Sequence, residues 1–206
     1  MPPGAGRFAA ADRYFAQMAE PGFIPASDPQ LPTASPIGEH VRGAHPDPEL
    51  MALPRLEQLR RQIAGEVPES PLSRLTGLRL LSVGDGTASF RMPLTGWLDA
   101  GQRTVPPAWF CAPPAGRVQG GIVALLADQT LSCAVATRLP SGTGLSLVEL
   151  KLNLLRPLAS DGRRAHAEGR VVHTGHRIAV ATAEVTGADG RVIAIASGSG
   201  FVKTPA

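Results

Sequence analysis

The sequence predicts an α+β domain in which an antiparallel sheet packs against one buried helix. Two short strand-like segments come first, a strongly apolar helical segment follows, and four more strand-like segments complete the order. A single helix leaves no room for the repeated βαβ crossovers that a parallel sheet requires. The 206 residues, 43% of them apolar, are enough for one core with appendages rather than for two full domains.

The first two strand segments, 78–83 and 87–92, form a predicted hairpin, because the Gly-Asp-Gly stretch between them is typical of a turn. In the third strand, apolar residues alternate with polar ones at 148–154, which indicates a half-buried strand. Ala188, Asp189 and Gly190 predict a turn before the last strand. The four later segments are 147–155, 164–173, 177–186 and 192–202.

The helix that begins near Gly120 and Gly121 is apolar around most of its circumference, which indicates a buried helix. Asp128 interrupts it, together with Gln129 and Ser132, so no run of eighteen apolar residues predicts a membrane span. Burying a carboxylate in apolar surroundings costs free energy, so its presence in an apolar helix needs an explanation. Capping or bridging another element is one reason and catalysis is another; the position of Asp128, two turns after the glycine pair, favours catalysis.

Residues 1–70 predict an extension that is partly disordered, since ten of the twenty prolines fall in the first 54 residues. One helix is predicted within it at about 49–64, from five apolar residues at near-helical spacing: Leu50, Leu53, Leu56, Leu59 and Ile63. The folded domain is predicted to span 71–204. Cys111 and Cys133 are too few for a disulfide framework, and no secretory signal pattern begins the chain. We therefore expect a cytoplasmic protein in which both cysteines are packing residues.

The charge distribution argues against nucleic acid as a partner. The net charge is only +3, and aromatic residues, on which bases stack, make up 4% of the chain. Residues 111–206 contain ten basic and six acidic side chains, so the basic surplus lies in the second half. Either plain surface charge or a small anionic ligand, such as a nucleotide-bearing cofactor, accounts for this surplus.

Five short motifs follow one another through the second half of the chain: PAGRVQGG at 114–121, LLAD at 125–128, VELKLN at 148–153, VVHTGHR at 171–177 and DGR at 189–191. In order and spacing they resemble the PaaI-type (phenylacetyl-CoA thioesterase-like) branch of the hotdog-fold thioesterase superfamily. The resemblance covers nearly all of the second half and none of the first 70 residues. It implies an antiparallel sheet wrapped around one central helix, in a homodimer or homotetramer.

The resemblance also implies the hydrolysis of an acyl-CoA thioester to a free acid and CoA. Asp128 would act as nucleophile or general base, and the Gly120 N–H of the other subunit would donate a hydrogen bond to the oxyanion. Negative charge develops on the thioester carbonyl during attack, and an N–H at a helix N-terminus stabilises it. Such chemistry needs no metal and no cofactor beyond the CoA of the substrate. Other predicted substrate-binding residues are Gln119, Gly121, Ser132, Gly175, His176 and Arg177.

The turn at 173–177 is where the resembling enzymes contact the pantetheine and phosphates of CoA. Backbone groups near Gly175 would hold the amides, and Arg177 would meet a phosphate. An ordinary exposed hairpin connection explains the same residues. Metal binding by His173 and His176 is disfavoured, because no third His and no nearby Cys completes a zinc site.

Three positions depart from the family pattern. Pro113 and Gln119 stand where Asn and His are frequent, and Leu147 stands where a Ser or Thr often positions water, with Ser146 facing the other side of the strand. These losses motivate an alternative, a non-catalytic acyl-CoA-binding or scaffolding hotdog protein. A hotdog hydratase is disfavoured because no His follows Asp128 before His166. The acyl group is not predicted.

Overall fold

The computed structural model describes residues 47–67, 69–100 and 116–203. The predicted disorder before residue 47 lies outside these ranges, as do Cys111 and Pro113. Within them, no helix is long and apolar enough to cross a lipid bilayer.

Three short helices precede the sheet: α1, Pro48–Ala52, α2, Arg55–Ile63, and α3, Pro71–Thr76. The sequence predicts one helix at about 49–64, but the structure has two, because Leu53 is extended (φ −72°, ψ 154°) before Pro54. A proline pushes the preceding residue out of the helical region and has no N–H of its own to donate. Helix α3 was not predicted from the sequence. Ser70 caps it by accepting a 3.1 Å hydrogen bond from the Ser73 N–H.

One six-stranded sheet forms the rest of the domain, in the order β1-β2-β4-β5-β6-β3, with all neighbours antiparallel. The predicted strands are confirmed, with boundaries that shift by a few residues at most. A short 3-10 helix, Gly96–Leu98, follows the second strand. The strands are β1, Arg79–Gly84, β2, Thr87–Pro93, β3, Gly144–Leu154, β4, Arg164–Thr174, β5, Ile178–Thr186, and β6, Val192–Lys203.

The central helix α4, Gly120–Ala136, contacts all six strands, most closely β2, β4 and β5. Leu126, Leu131 and Val135 of α4 are buried in one cluster with Met92 and Val185 of the sheet. Burial of these apolar side chains is the main source of stability in such a layer. A sheet that wraps around one helix in this order is the hotdog fold, as predicted.

Helix α4 approaches β4 closely at Gly169. A Cβ atom added at Gly169 would lie 2.8 Å from Thr130 Cγ2 and 3.0 Å from the Thr130 carbonyl oxygen. Only a residue without Cβ allows this approach. Gly169 therefore sets the distance between the helix and the middle of the sheet.

Strand β3 departs from the predicted alternation. A bulge between Leu147 and Glu149 shifts the register, and Val148 is 58% exposed instead of facing the helix. Leu150 and Leu152 pack against the core as predicted. Because β3 pairs only with β6, its outer edge carries backbone groups with no partner strand in the described residues.

Candidate active site

Helix α4 begins with two glycines, and its first turn is capped from within the chain. Gln119 is the N-cap residue, and its Oε1 accepts a 2.7 Å hydrogen bond from the Gly121 N–H. A Cβ atom on Gly121 would lie 2.7 Å from the same oxygen, so a larger residue at position 121 would force the end of the Gln119 side chain to shift. The Gly121 N–H is therefore already engaged.

The Gly120 N–H, in contrast, has no hydrogen-bond partner among the described residues. It is one of the N–H groups that a helix leaves unsatisfied at its start. A Cβ atom on Gly120 would lie 3.1 Å from Leu154 Cδ1, which places this end of α4 beside the end of β3. Of the two glycines, Gly120 has the N–H that remains available to an oxyanion.

One face of α4 is not covered by the sheet. Gly121 is exposed, and Leu125, Asp128 and Ser132 are half-buried. Along the chain these four residues are spaced by four, three and four positions. These spacings place all four residues on one helix face, which we call the open ridge. The opposite face is buried in the core. The structure thus brings three of the predicted site residues, Gly121, Asp128 and Ser132, to one surface.

Asp128 keeps most of its hydrogen-bonding capacity free. Its Oδ2 accepts a 3.3 Å hydrogen bond from Gln129 Nε2, and no cation of the described residues forms an ion pair with it. It neither caps nor bridges another described element, which was the structural alternative. Its Oδ1 can accept a proton from water or attack a carbonyl carbon.

Ser132 and Cys133 lie one turn or more beyond Asp128. Ser132 forms no hydrogen bond with a described residue, so its hydroxyl is open to a ligand or to water. Burial raises the pKa of the Cys133 thiol to about 12; the nearby charge of Arg55 lowers that pKa and the charge of Asp128 raises it. Cys133 packs against the core and has little thiolate at neutral pH, as a packing residue should.

Gly120 and Asp128 are too far apart to act on one carbonyl within a single chain. Eight residues of helix separate them, about 12 Å along the axis. A hydrogen-bond donor has to lie about 3 Å from the oxyanion while the nucleophile contacts the carbon of the same group. One protomer therefore holds the two groups but does not assemble them into one site.

The turn at 173–177 also lies away from Gly120 in the same chain. Gly120 lies beside Leu154 of β3, and Leu154 pairs with Ala194 of β6. Ile178, at the end of the turn, pairs with Phe201 of the same strand. Ala194 and Phe201 are seven residues apart, about 23 Å along β6. His176 and Arg177 are exposed there. The Gly175 N–H donates to the Ile178 carbonyl at 2.8 Å, so among the backbone groups near Gly175 this N–H is already used.

The departures from the family pattern have a structural counterpart at two positions. Gln119 replaces a frequent His and acts as the helix cap, a role that its place before the helix could have indicated and that we did not predict. A Cβ atom added at Gly198, which faces the helix, would lie 3.3 Å from Leu147 Cδ1. Leu147 therefore also faces the helix side of the sheet. Ser146 pairs with Phe201 and faces the other side. No hydroxyl from 146–147 therefore reaches the ridge.

The described residues contain no group of three His, Cys, Asp or Glu side chains placed to share a metal ion. His173 and His176, the pair weighed from the sequence, belong to no such group.

Comparison with known proteins gives one family match and several structures of similar fold. Residues 115–194 match the family model of the thioesterase superfamily. None of the curated proteins compared with the chain matches it. Among solved structures, a conserved protein from Pseudomonas aeruginosa is similar, with 28% identity, a TM-score of 0.55, and coverage of 66% of this chain and 95% of that one.

Two further solved structures share the fold at lower identity. A phenylacetic acid degradation-related protein from Ralstonia eutropha has 23% identity and a TM-score of 0.56, covering 69% of this chain and 98% of that one. A mutant of the phenylacetic acid degradation protein PaaI from Thermus thermophilus has 23% identity and a TM-score of 0.51, covering 64% and 98%. The family match over residues 115–194 and the fold shared with these structures make the second half of the chain similar to the thioesterase superfamily, with a hotdog domain, and support a thioester hydrolase.

Proposed function

We propose that this protein hydrolyses acyl-CoA thioesters to a free acid and CoA, with Asp128 as the catalytic carboxylate. The observation that supports this most directly is the open ridge: a carboxylate with free capacity lies on the uncovered face of an otherwise apolar helix. The same helix begins with a glycine N–H that has no partner in the described residues. A nucleophile or base and an oxyanion donor are the two parts that acyl transfer needs.

The carboxylate has two routes to the same products. As general base, Asp128 takes a proton from water while the water oxygen attacks the thioester carbon; the C–S bond then breaks, and the thiolate leaves and is protonated. As nucleophile, its oxygen forms an acyl anhydride with release of the thiolate, and water then cleaves the anhydride. In both routes the Gly120 N–H stabilises the negative charge on the carbonyl oxygen. Neither requires a metal or a redox cofactor; CoA enters with the substrate.

We propose that the active unit contains at least two chains, as a homodimer or a homotetramer. The separation of about 12 Å between Gly120 and Asp128 supports this, because a two-fold axis runs two α4 helices antiparallel and brings Asp128 of one chain toward Gly120 of the other. The outer edge of β3 offers unpaired backbone groups for such an association. Val148 and Leu154, 58% and 54% exposed, lie on the same strand.

The two-fold arrangement also gives the turn at 173–177 a place in the proposed site. Within one chain the turn and Gly120 lie at opposite ends of the sheet. An antiparallel partner brings its own turn to the end at which Gly120 of the first chain lies. Exposed His176 and Arg177 would then contact the CoA portion of a substrate bound between chains, together with Gln119, Gly121 and Ser132. The Gly175 N–H is used by the Ile178 carbonyl, so other backbone groups near Gly175 would hold the pantetheine amides.

The test is thiol release from a panel of short, long and aromatic acyl-CoAs by the native protein and by Asp128→Asn. We expect the native protein to hydrolyse one class and Asp128→Asn to lose about 100-fold to 10,000-fold in rate, the range of acid-base catalysis. Asp189→Asn is the matched control, because Asp189 lies in the exposed turn before β6 and, in the part of the chain that the structure describes, pairs with Arg191. Tight binding of CoA esters by the native protein without thiol release would establish the alternative, a binding or scaffolding protein.

A further inference from the structure

Three basic side chains lie in a row across the outer face of the sheet, which is the face turned away from α4. Arg91 of β2 is directly opposite Arg79 of β1 on one side and His166 of β4 on the other. Its neighbours along β2, Phe90 and Met92, are buried in the core on the opposite face. Adjacent strands are about 4.8 Å apart, and like charges that face each other at this spacing destabilise a sheet. The row therefore calls for a counter-charge.

One carboxylate of the described residues forms an ion pair with a member of this row: Glu69, before α3, pairs with Arg79. Arg91 is half-buried, and its guanidinium has no ion pair or hydrogen bond with a described residue. A half-buried charge without a partner is unfavourable. None of the unpartnered nitrogen atoms of Arg91 is shielded from solvent. An oxygen atom of a ligand can therefore reach this guanidinium.

Arg79 and Arg91 also line a cavity of about 560 Å³ between the sheet and the N-terminal helices. Ile63, the last residue of α2, is 39% exposed and adds apolar surface to the wall of this cavity. Ligand sites in proteins commonly have this size and combine an apolar lining with a few polar groups. The apolar residues of the lining are Ile63, Val67, Leu78, Leu80 and Leu81.

The charges of this cavity do not balance. Its charged lining residues are Glu69, Arg79 and Arg91. Glu69 and Arg79 neutralise each other, which leaves one positive charge, on Arg91. Gln62 also lines the cavity, and its side-chain amide has no hydrogen bond with a described residue. A guanidinium binds a carboxylate through two parallel N–H···O hydrogen bonds. The matching ligand therefore has one carboxylate and an apolar body.

We propose that this cavity binds a monocarboxylic acid, with its carboxylate on Arg91 and its apolar body along the lining. The choice of acid rests on the proposed function, because the hydrolysis of an acyl-CoA releases acids of this class. Arg91 lies on the face of the sheet turned away from α4, so this acid site is separate from the open ridge that carries Asp128. It also lies outside residues 115–194, which match the family model.

The test is calorimetric binding of three probes to the full chain: octanoate, octanamide and acetate. Each is measured with and without a saturating thioether analogue of octanoyl-CoA, which occupies the proposed active site. The native protein should bind octanoate more tightly than octanamide, which lacks the charge, and more tightly than acetate, which lacks the apolar body. Arg91→Gln should weaken octanoate binding about 10-fold to 100-fold, the value of a hydrogen bond to a charged group, and leave octanamide binding unchanged.

Arg170→Gln is the matched control. Arg170 lies on the same face of β4 as His166, is exposed, has no ion pair with a described residue and does not line this cavity. This variant should bind octanoate as the native protein does. Arg91→Lys keeps the charge but not the planar fork and should give an intermediate loss, which shows that a change in folding is not the cause.

Three results would overturn the acid site: no octanoate binding by the native protein, equal binding by the native and Arg91→Gln proteins, or complete displacement of octanoate by the CoA analogue. The proposed hydrolysis is tested separately, because these measurements report binding without turnover. Octanoate binding that depends on Arg91, in a protein that releases thiol from no acyl-CoA, would overturn the hydrolysis and leave the acid site standing.

Discussion

The two faces of α4 belong to the same 17-residue helix and have opposite surroundings. On the buried face, Leu126, Thr130 and Leu131 have no exposed surface. On the open ridge, the side chains of three residues remain partly exposed to solvent: Leu125, Asp128 and Ser132. Leu125 and Leu126 are adjacent and chemically identical, so their residue type does not decide which one forms the core; only the phase of the helix relative to the sheet does.

The polar residues of the two faces differ in the same way. The Thr130 hydroxyl donates a 2.7 Å hydrogen bond to the Leu126 carbonyl, so the buried face leaves no polar side chain unsatisfied. Asp128 has one long hydrogen bond to its neighbour Gln129. Satisfied polar groups belong to the structure, and groups with free capacity on an uncovered face are available to a substrate. Stability should therefore depend on one face of α4 and turnover on the other.

The largest effect on stability should come from the adjacent leucines. We expect Leu126→Ala to lower the free energy of unfolding by about 3 kcal/mol, since it removes a fully buried side chain and leaves a cavity. Leu125→Ala, which removes a half-buried side chain, should cost about 1 kcal/mol. Urea unfolding of both variants measures the difference. Equal losses would mean that the ridge is as well covered as the core.

The next effect concerns the oxyanion donor at the start of the ridge. Gly120→Pro removes the N–H at the first helical position, where proline is tolerated, and Gln119 already has the extended backbone (ψ 134°) that precedes a proline. We expect kcat to fall about 100-fold to 1,000-fold, as for the loss of one oxyanion donor. Gly120→Ala keeps the N–H and adds the same Cβ, so it should retain most of the activity. A similar loss in both variants would attribute the effect to contact with Leu154 instead.

A smaller effect on stability should appear where the buried face meets β4. Gly169→Ala places a Cβ 2.8 Å from Thr130 Cγ2 and should cost about 1 to 3 kcal/mol through overpacking. Gly144→Ala, in β3, meets no atom within 4 Å and is the control. Thermal unfolding compares the two, and a Gly169→Ala protein as stable as Gly144→Ala would show that α4 can move away from the sheet at little cost.

The smallest effect belongs to the cap. Gln119→Ala removes the acceptor of the Gly121 N–H and should lower stability by about 1 kcal/mol. Gln119→Glu keeps an acceptor in place, next to the positive end of the helix dipole, and should be as stable as the native protein. Denaturant unfolding measures both. A destabilised Glu variant would contradict the assignment of Gln119 as a cap.

Much of the fold follows from local sequence pattern. The period-two alternation at Leu150 and Leu152 and the all-round apolar character of α4 were enough to predict the strands and the buried helix. The break at Pro54 was predictable from proline chemistry but was hidden by the helical spacing of the leucines on either side of it. The bulge at Val148 was not predictable from local sequence, because it depends on the pairing of β3 with β6.

The site was predicted less completely, because its parts depend on relations between segments. Asp128 and Gly120 stand out as a lone acid and a glycine in an apolar helix, which is local information. The cap by Gln119 depends on a contact that no spacing rule describes. The distance between Gly120 and the turn at 173–177 depends on strand pairing, and spacing along the chain does not reveal it.

The most direct test of the central claim, that Asp128 and Gly120 act from different chains, is complementation between two inactive variants. Asp128→Asn and Gly120→Pro chains are each assayed alone, then mixed, exchanged under mild denaturation and assayed again. In a mixed dimer, one site combines an intact Asp128 from one chain with an intact Gly120 from the other, so random exchange should restore about a quarter of the native activity. No recovery in a sample shown to contain mixed dimers would contradict the shared site.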